Sequence, residues 1–183
     1  MKLTRCLLTA LVLLCASPLA AQGNACRDRP VPPLVEGRAS AVDGDTLAIA
    51  GHPRLRLWGI QAPELRDRRS GVETGPGMQA RAGLADRLAR GGDDPVHCRP
   101  SKWDHWCRLV ATCEAASGNG PDGRPVYEDL SAGLLRDGMA YTFMLDDTEG
   151  RRAEDSGRAD EYSRAESAAR KGRIGLWPIW MGR

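Results

Sequence analysis

Residues 35–59 read VEGRASAVDGDTLAIAGHPRLRLWG, and this stretch decides the fold. Val35 to Val42 is a strand-like run. Asp43-Gly44 behind it is a strong signal for a tight hairpin turn. Thr46 to Ala50 then places Leu47 and Ile49 on one face. Pro53 to Gly59 alternates Arg54, Arg56 and Trp58 against Leu55 and Leu57, the period of a strand. The pattern predicts a three-stranded meander.

The rest of the chain supplies the remaining elements. Leu65 to Gly77 is polar and rich in glycine, so it reads as a loop. Met78 to Arg90 predicts a helix whose apolar stripe is Leu84, Ala85, Leu88 and Ala89, ended by Gly91-Gly92. Pro95 to Arg99 and Trp106 to Ala115 are two more strand-like runs. Gly118 to Gly123 is a turn-rich connection, and Leu130 to Arg136 a short helix stopped by Gly138. Residues 146 to 157 are polar and loop-like. Arg158 to Lys171 predicts a longer helix with Tyr162, Ala165 and Ala169 on its apolar side. It ends at Gly172, after which Leu176-Trp177-Pro178 packs back. There are no repeats and no sign of a second domain. The sum is an α+β fold: a five-stranded OB-type β-barrel with about three α-helices over residues 35–183.

Residues 1–21 read as a secretory signal peptide. Lys2 and Arg5 give the positive start, Leu7 to Leu14 an apolar core too short to span a membrane, and Pro18-Leu19-Ala20-Ala21 a small-residue exit. Residues 22–34 are polar and proline-rich, a flexible lead-in. The expected location is periplasmic or secreted, without a membrane anchor, and the mature protein of about 160 residues reads as one monomeric domain. The chain has 26 Lys and Arg against 24 Asp and Glu, and loss of Lys2 and Arg5 leaves 24 of each. A near-neutral protein lacks the basic face of a long, non-specific nucleic-acid footprint, but it can hold a small local anion site.

Four cysteines follow the signal: Cys26, Cys98, Cys107 and Cys113. An oxidising compartment favours disulfides. Cys107 and Cys113 in one strand would lie roughly 20 Å apart, beyond bonding reach. A hairpin turning near Trp103 to His105 instead brings Cys98 opposite Cys113, which predicts that bridge. Cys26 and Cys107 remain as a second candidate pair. A zinc site of His97, Cys98, His105 and Cys107 is the competing reading, weakened by the lack of a Cys-x-x-Cys pair.

Four short pieces carry the chemistry: Asp43-Gly44-Asp45-Thr46, Arg56, Ala62-Pro63-Glu64 and Arg108. Phosphodiester hydrolysis needs an activated water, neutralised phosphoryl oxygens and a stabilised leaving oxygen. Asp45 can bind a hard cation such as Ca²⁺, and the backbone carbonyl of Ala62 can add an oxygen. Glu64 can act as general base. Arg56 and Arg108 can each present a planar fork to phosphate. Each piece alone is bland: a turn, a solvated strand arginine, a loop acid. Their joint order on these elements is specific.

The chain resembles the thermonuclease, or staphylococcal nuclease-like, family over roughly residues 36 to 178. The matching residues are Val42-Asp43-Gly44-Asp45-Thr46, Arg56-Leu57 leading to Ala62-Pro63-Glu64, and Asp104-His105-Trp106-Cys107-Arg108. Leu134-Leu135-Arg136-Asp137-Gly138-Met139-Ala140 and Gly175-Leu176-Trp177 match more weakly. The resemblance implies an OB-fold barrel and Ca²⁺-dependent cleavage of DNA and RNA, with single strands as substrate. It implies Asp45 as metal ligand, Glu64 as general base, and Arg56 and Arg108 on the phosphate. Asp43 and Thr46 would support them from behind. Two departures stand out. Gln61 occupies the place of an acid that ligates the metal, and its amide oxygen brings no charge. Trp106-Cys107 replaces Tyr-Gly, leaving Trp106 to stack on a base. The amide at 61 sustains a second expectation, a catalytically silent barrel that binds nucleic acid or a protein.

Overall fold

The computed structural model describes Cys26, residues 28–145 and residues 157–182. The signal segment 1–21 and most of the loop at 146–157 lie outside the described residues. The meander forms as its alternation predicts: β1 (Val35–Gly37), β2 (Ala39–Ala41), β3 (Thr46–Ile49) and β4 (Leu55–Leu57). β1 and β2 are two halves of one bent strand. β1 pairs antiparallel with β6 (Val96–Trp103), while β2 pairs antiparallel with β3. The corner is Gly37, with φ +152° and no room for a side chain, because a Cβ there would lie 2.9 Å from the Ile49 side chain. β7 (Leu109–Asn119) runs antiparallel to β6 and parallel to β4. The sheet order is therefore β1-β6-β7-β4-β3-β2, with its two ends joined through the bend. That is an OB-like barrel of five chain segments on the plan the sequence predicted.

Three short strands were not foreseen. β5 (Ile60–Gln61) pairs with β9 (Tyr141–Thr142), and β8 (Pro125–Asp129) extends the far half of β7. The run from Trp106 is also not strand from its start. Trp103 pairs with Leu109, so Asp104 to Arg108 form the turn, and Cys107 sits in it at φ +60°.

Helix α1 (Gly75–Arg90) begins earlier than Met78. The Thr74 hydroxyl accepts a hydrogen bond from the Gly77 amide and caps it, with Pro76 in the first turn. Its buried face is Gly77, Ala80, Leu84 and Arg87, with Leu88 packed at the edge. Ala85 and Ala89 are exposed, which corrects the predicted stripe. Ala is indifferent to which face it takes, whereas Arg87 is drawn in by an ion pair with Asp137 at 2.7 Å. α2 (Leu130–Arg136) and α3 (Arg158–Lys171) have the predicted bounds, and α4 (Trp177–Met181) follows Leu176 back onto the core. The core gathers Leu47, Leu55, Leu57, Leu109, Leu134 and Tyr162 around the barrel axis and under α2.

Both predicted disulfides are present. Cys98 and Cys113 face each other in register, with Cα atoms 4.1 Å apart. Cys26 is bonded to Cys107. These bonds exclude the zinc reading, since both of its thiols are consumed. The lead-in follows the barrel beyond Cys26: Val31 packs on the core, and the Trp103 indole N–H donates to the Arg29 carbonyl.

Candidate nuclease-type site at the barrel mouth

The hairpin at Asp43–Thr46 brings the site together. Gly44 is required by close approach, because a Cβ there would fall 2.6 Å from the Cβ atoms of both Ala62 and Ala80. Asp43 Oδ1 accepts the Asp45 amide at 3.0 Å, so Asp43 is a turn-former. Asp45 is 5 % exposed and Arg56 8 %. They pair at 3.1 Å through Oδ1 and Nη1. Asp45 Oδ2 accepts the Ala62 amide at 2.7 Å, and Thr46 Oγ1 donates to Oδ1 at 3.3 Å. Burial pushes the Asp45 carboxyl up to about 6 despite the neighbouring Arg56. Burial likewise lowers Arg56 from its ordinary value, opposed by Asp45 and reinforced by Arg108.

Arg56 is tethered by four acceptors in addition to that carboxylate: the Asp45 and Leu57 carbonyls at 3.4 and 3.1 Å, the Ile60 carbonyl at 2.8 Å, and Gln61 Oε1 at 2.9 Å. Sequence alternation suggested a solvated strand residue, and β4 instead points it into the chain between β4 and β5. Gln61 Nε2 donates in turn to the Ala62 carbonyl at 3.0 Å. Arg108 reaches the same hairpin from the other side, donating to Thr46 Oγ1 at 3.3 Å. Its guanidinium carbon lies 4.9 Å from the Trp106 ring centroid, and Trp106 is 64 % exposed.

Asp104 was not singled out from the sequence as a site residue. Its Oδ1 accepts the Trp106 and Arg108 amides, and its Oδ2 accepts Arg108 Nε at 2.7 Å. It thus fixes both the turn and the guanidinium. An Asp two residues before Trp106 and four before Arg108, in a turn, was the available signal. Glu64 lies apart from this hydrogen-bonded cluster. Its carboxylate is half exposed and pairs with Arg68 at 2.7 Å, a partner the sequence reading also passed over.

The donor set does not fit a calcium ion. Such a site takes six to eight oxygens, several of them carboxylates. Here Asp45 is the single acid among the expected ligands, and a guanidinium already occupies it. Gln61 Oε1 is bound by Arg56, and the Ala62 carbonyl is bound by Gln61. Among the described residues no group of three His, Cys, Asp or Glu side chains is placed to hold a metal.

No helix among the described residues is long and apolar enough to cross a membrane. The two disulfides are consistent with an extracellular or periplasmic protein. The chain is 28 % identical over 145 residues to the succinoglycan biosynthesis protein ExoI of Rhizobium meliloti (strain 1021), covering 77 % of this chain and 63 % of that protein. The family model for the staphylococcal nuclease homologue matches residues 54–178, a span that holds Arg56, Glu64 and Arg108. The match spans more than half of the chain, and the chain belongs to the staphylococcal nuclease family, whose members are generally Ca²⁺-dependent.

Proposed function

We propose that this chain is an exported, monomeric nuclease that binds the phosphodiester backbone of single-stranded DNA or RNA at the barrel mouth and hydrolyses it. The observation that carries this is the convergence of Arg56 and Arg108 on the Asp45-Thr46 dipeptide. Two guanidiniums beside one small volume suit a phosphate anion: Arg108 can offer it a planar fork, while the tethered Arg56 adds fixed positive charge. Arg108 is the more exposed of the two and meets the strand first, while Arg56 anchors from within. Trp106, lying against Arg108, offers a ring to the neighbouring base.

Glu64 serves as the base. Its pair with Arg68 is exposed and screened by solvent, so Arg68 gives way readily to water or to an incoming phosphate. Glu64 then takes a proton from water, whose oxygen bonds to phosphorus. The ester P–O bond on the opposite side breaks, and its oxygen leaves with a proton from solvent. The guanidiniums offset the charge that gathers on the phosphoryl oxygens.

A specific observation favours a second reading, a silent barrel that binds without cleaving. Gln61 closes a hydrogen-bonded chain from Arg56 to the Ala62 carbonyl where the family has an acid. The test is hydrolysis of denatured DNA with calcium and with chelator, beside Glu64→Gln and Gln61→Asp. The expected result is slow cleavage that changes only a few-fold with chelator and disappears in Glu64→Gln. An inactive parent, with calcium-dependent activity appearing in Gln61→Asp, would replace hydrolysis by the silent reading.

A further inference from the structure

One groove among the described residues lies apart from the arginine-lined mouth. It is an open trough of about 500 Å³ bordered by Pro63, Glu64, the loop arginines Arg66, Arg68 and Arg69, and Trp180 of α4. Its size is that of a small-molecule site, and its lining is chemically particular. Glu64 forms one wall, so the trough starts where the proposed base stands. The loop that carries the arginines is held in shape. Asp67 Oδ1 accepts the Arg69 and Ser70 amides and the Ser70 hydroxyl, and these bonds lower the Asp67 carboxyl from its ordinary range.

The three arginines differ in how they are engaged. Arg66 is committed to Glu73 and the Gly71 carbonyl, and Arg68 to Glu64. The exposed Arg69 guanidinium makes no hydrogen bond or ion pair among the described residues. In the same trough, the plane of Trp180 is fixed by near-perpendicular contacts with Trp177 and Tyr141, at 4.9 and 5.8 Å between centroids. A free planar cation and a rigid aromatic ring in one groove are the pairing that single strands use, one for phosphate and one for base.

We infer that this trough is a second nucleotide subsite, in which Arg69 binds a phosphate flanking the scissile one and Trp180 stacks on its base. The inference rests on the nuclease reading and adds a direction to it, since the strand would run from Arg108 past Glu64 to α4. It also gives Arg68 a substrate-linked role. A phosphate entering the trough draws Arg68 off Glu64 and frees the carboxylate as the strand arrives.

The experiment is anisotropy of a fluorescein-labelled twelve-residue oligothymidylate with the full mature protein, in chelator, across a salt series. The variants are Arg69→Ala, Trp180→Leu and Arg108→Ala. Arg69 is exposed, so its variant retains the fold. Loss of one phosphate contact should reduce the log–log salt slope by about 0.7 in Arg69→Ala. Loss of the stacked base should weaken binding about tenfold in Trp180→Leu. An unchanged salt slope in Arg69→Ala, with binding still lost in Arg108→Ala, overturns the trough and leaves the mouth reading intact. A parent that binds no oligothymidylate overturns both.

Discussion

Asp45 and Asp129 are two aspartates withdrawn from water beside an arginine, and the structure uses them differently. Asp129 ends β8 and caps α2, accepting the Ala132 amide at 2.8 Å. It also accepts the Tyr162 hydroxyl at 2.9 Å and pairs with Arg158, which reaches on to Glu114 of β7. Burial raises its carboxyl from the ordinary range, as it does that of Asp45. The Asp129 set ties α3 to α2 and the sheet and is sealed by Tyr162, which is fully buried. From Asp45 the bonds lead outward through Thr46 to Arg108 and the exposed Trp106. A buried acid–arginine pair therefore does not by itself mark a site. A path from that pair to an exposed cation and ring does.

The sharpest way to break this contrast is to remove each acid. Asp129→Ala uncaps α2 and removes the acceptor that Arg158 and the Tyr162 hydroxyl share, which should cost about 4 kcal/mol in urea unfolding. Oligothymidylate binding by the folded fraction should not change. Asp45→Ala should cost about 2 kcal/mol and weaken that binding more than tenfold. Equal losses of binding would dissolve the distinction.

A smaller effect separates the two arginines at the mouth. A lysine at position 56 cannot meet the Leu57, Ile60 and Gln61 oxygens at once. Arg56→Lys should lower stability by about 2 kcal/mol, and Arg108→Lys by under about 1 kcal/mol, in thermal melts checked against urea. If the two melt alike, Arg56 is not the internal anchor described here.

The smallest effect is on the pH slope. Each aspartate keeps its proton to a higher pH in the folded chain than in the unfolded chain. Between pH 4 and 6 the folded state therefore binds more protons, and stability should fall as pH rises through that window. For Asp45 the loss is complete above its folded value of about 6. Unfolding free energies from urea melts at pH 4.5 and 7 should differ by about 1 kcal/mol, and Asp129→Asn should flatten the difference. A parent that gains stability over the same rise would mean that the arginines outweigh burial.

The fold was legible where period and punctuation agree. α2 and α3 begin and end where their stripes and glycines indicate, and the Cys98–Cys113 register follows from strand alternation alone. The face of α1 was not legible, because alanine carries no preference strong enough to decide it, and Arg87 turns inward to partners distant in sequence, Glu128, the Gly133 carbonyl and Asp137. β5, β8 and β9 were missed because two-to-five-residue strands are specified by partners distant in sequence. At the site, the residue types were readable and their order was informative. Which oxygen each guanidinium would take was not, since that depends on the turn between β4 and β5. Gln61 was visible as an amide in an acid's place, but its bonds to Arg56 and Ala62 exist only in three dimensions.

The two disulfides interleave along the chain, Cys26 to Cys107 across Cys98 to Cys113. A chain that oxidised its thiols in the order they emerge would join Cys26 to Cys98 first, leaving Cys107 with Cys113. Neither of those bonds is native. The β6–β7 hairpin must therefore form before covalent closure, so that Cys98 is claimed by its cross-strand neighbour and Cys26 is left for the turn. Otherwise a wrong pair must be reshuffled by thiolate exchange. Yield of this protein in an oxidising host should accordingly depend on a disulfide isomerase more than on the supply of oxidant.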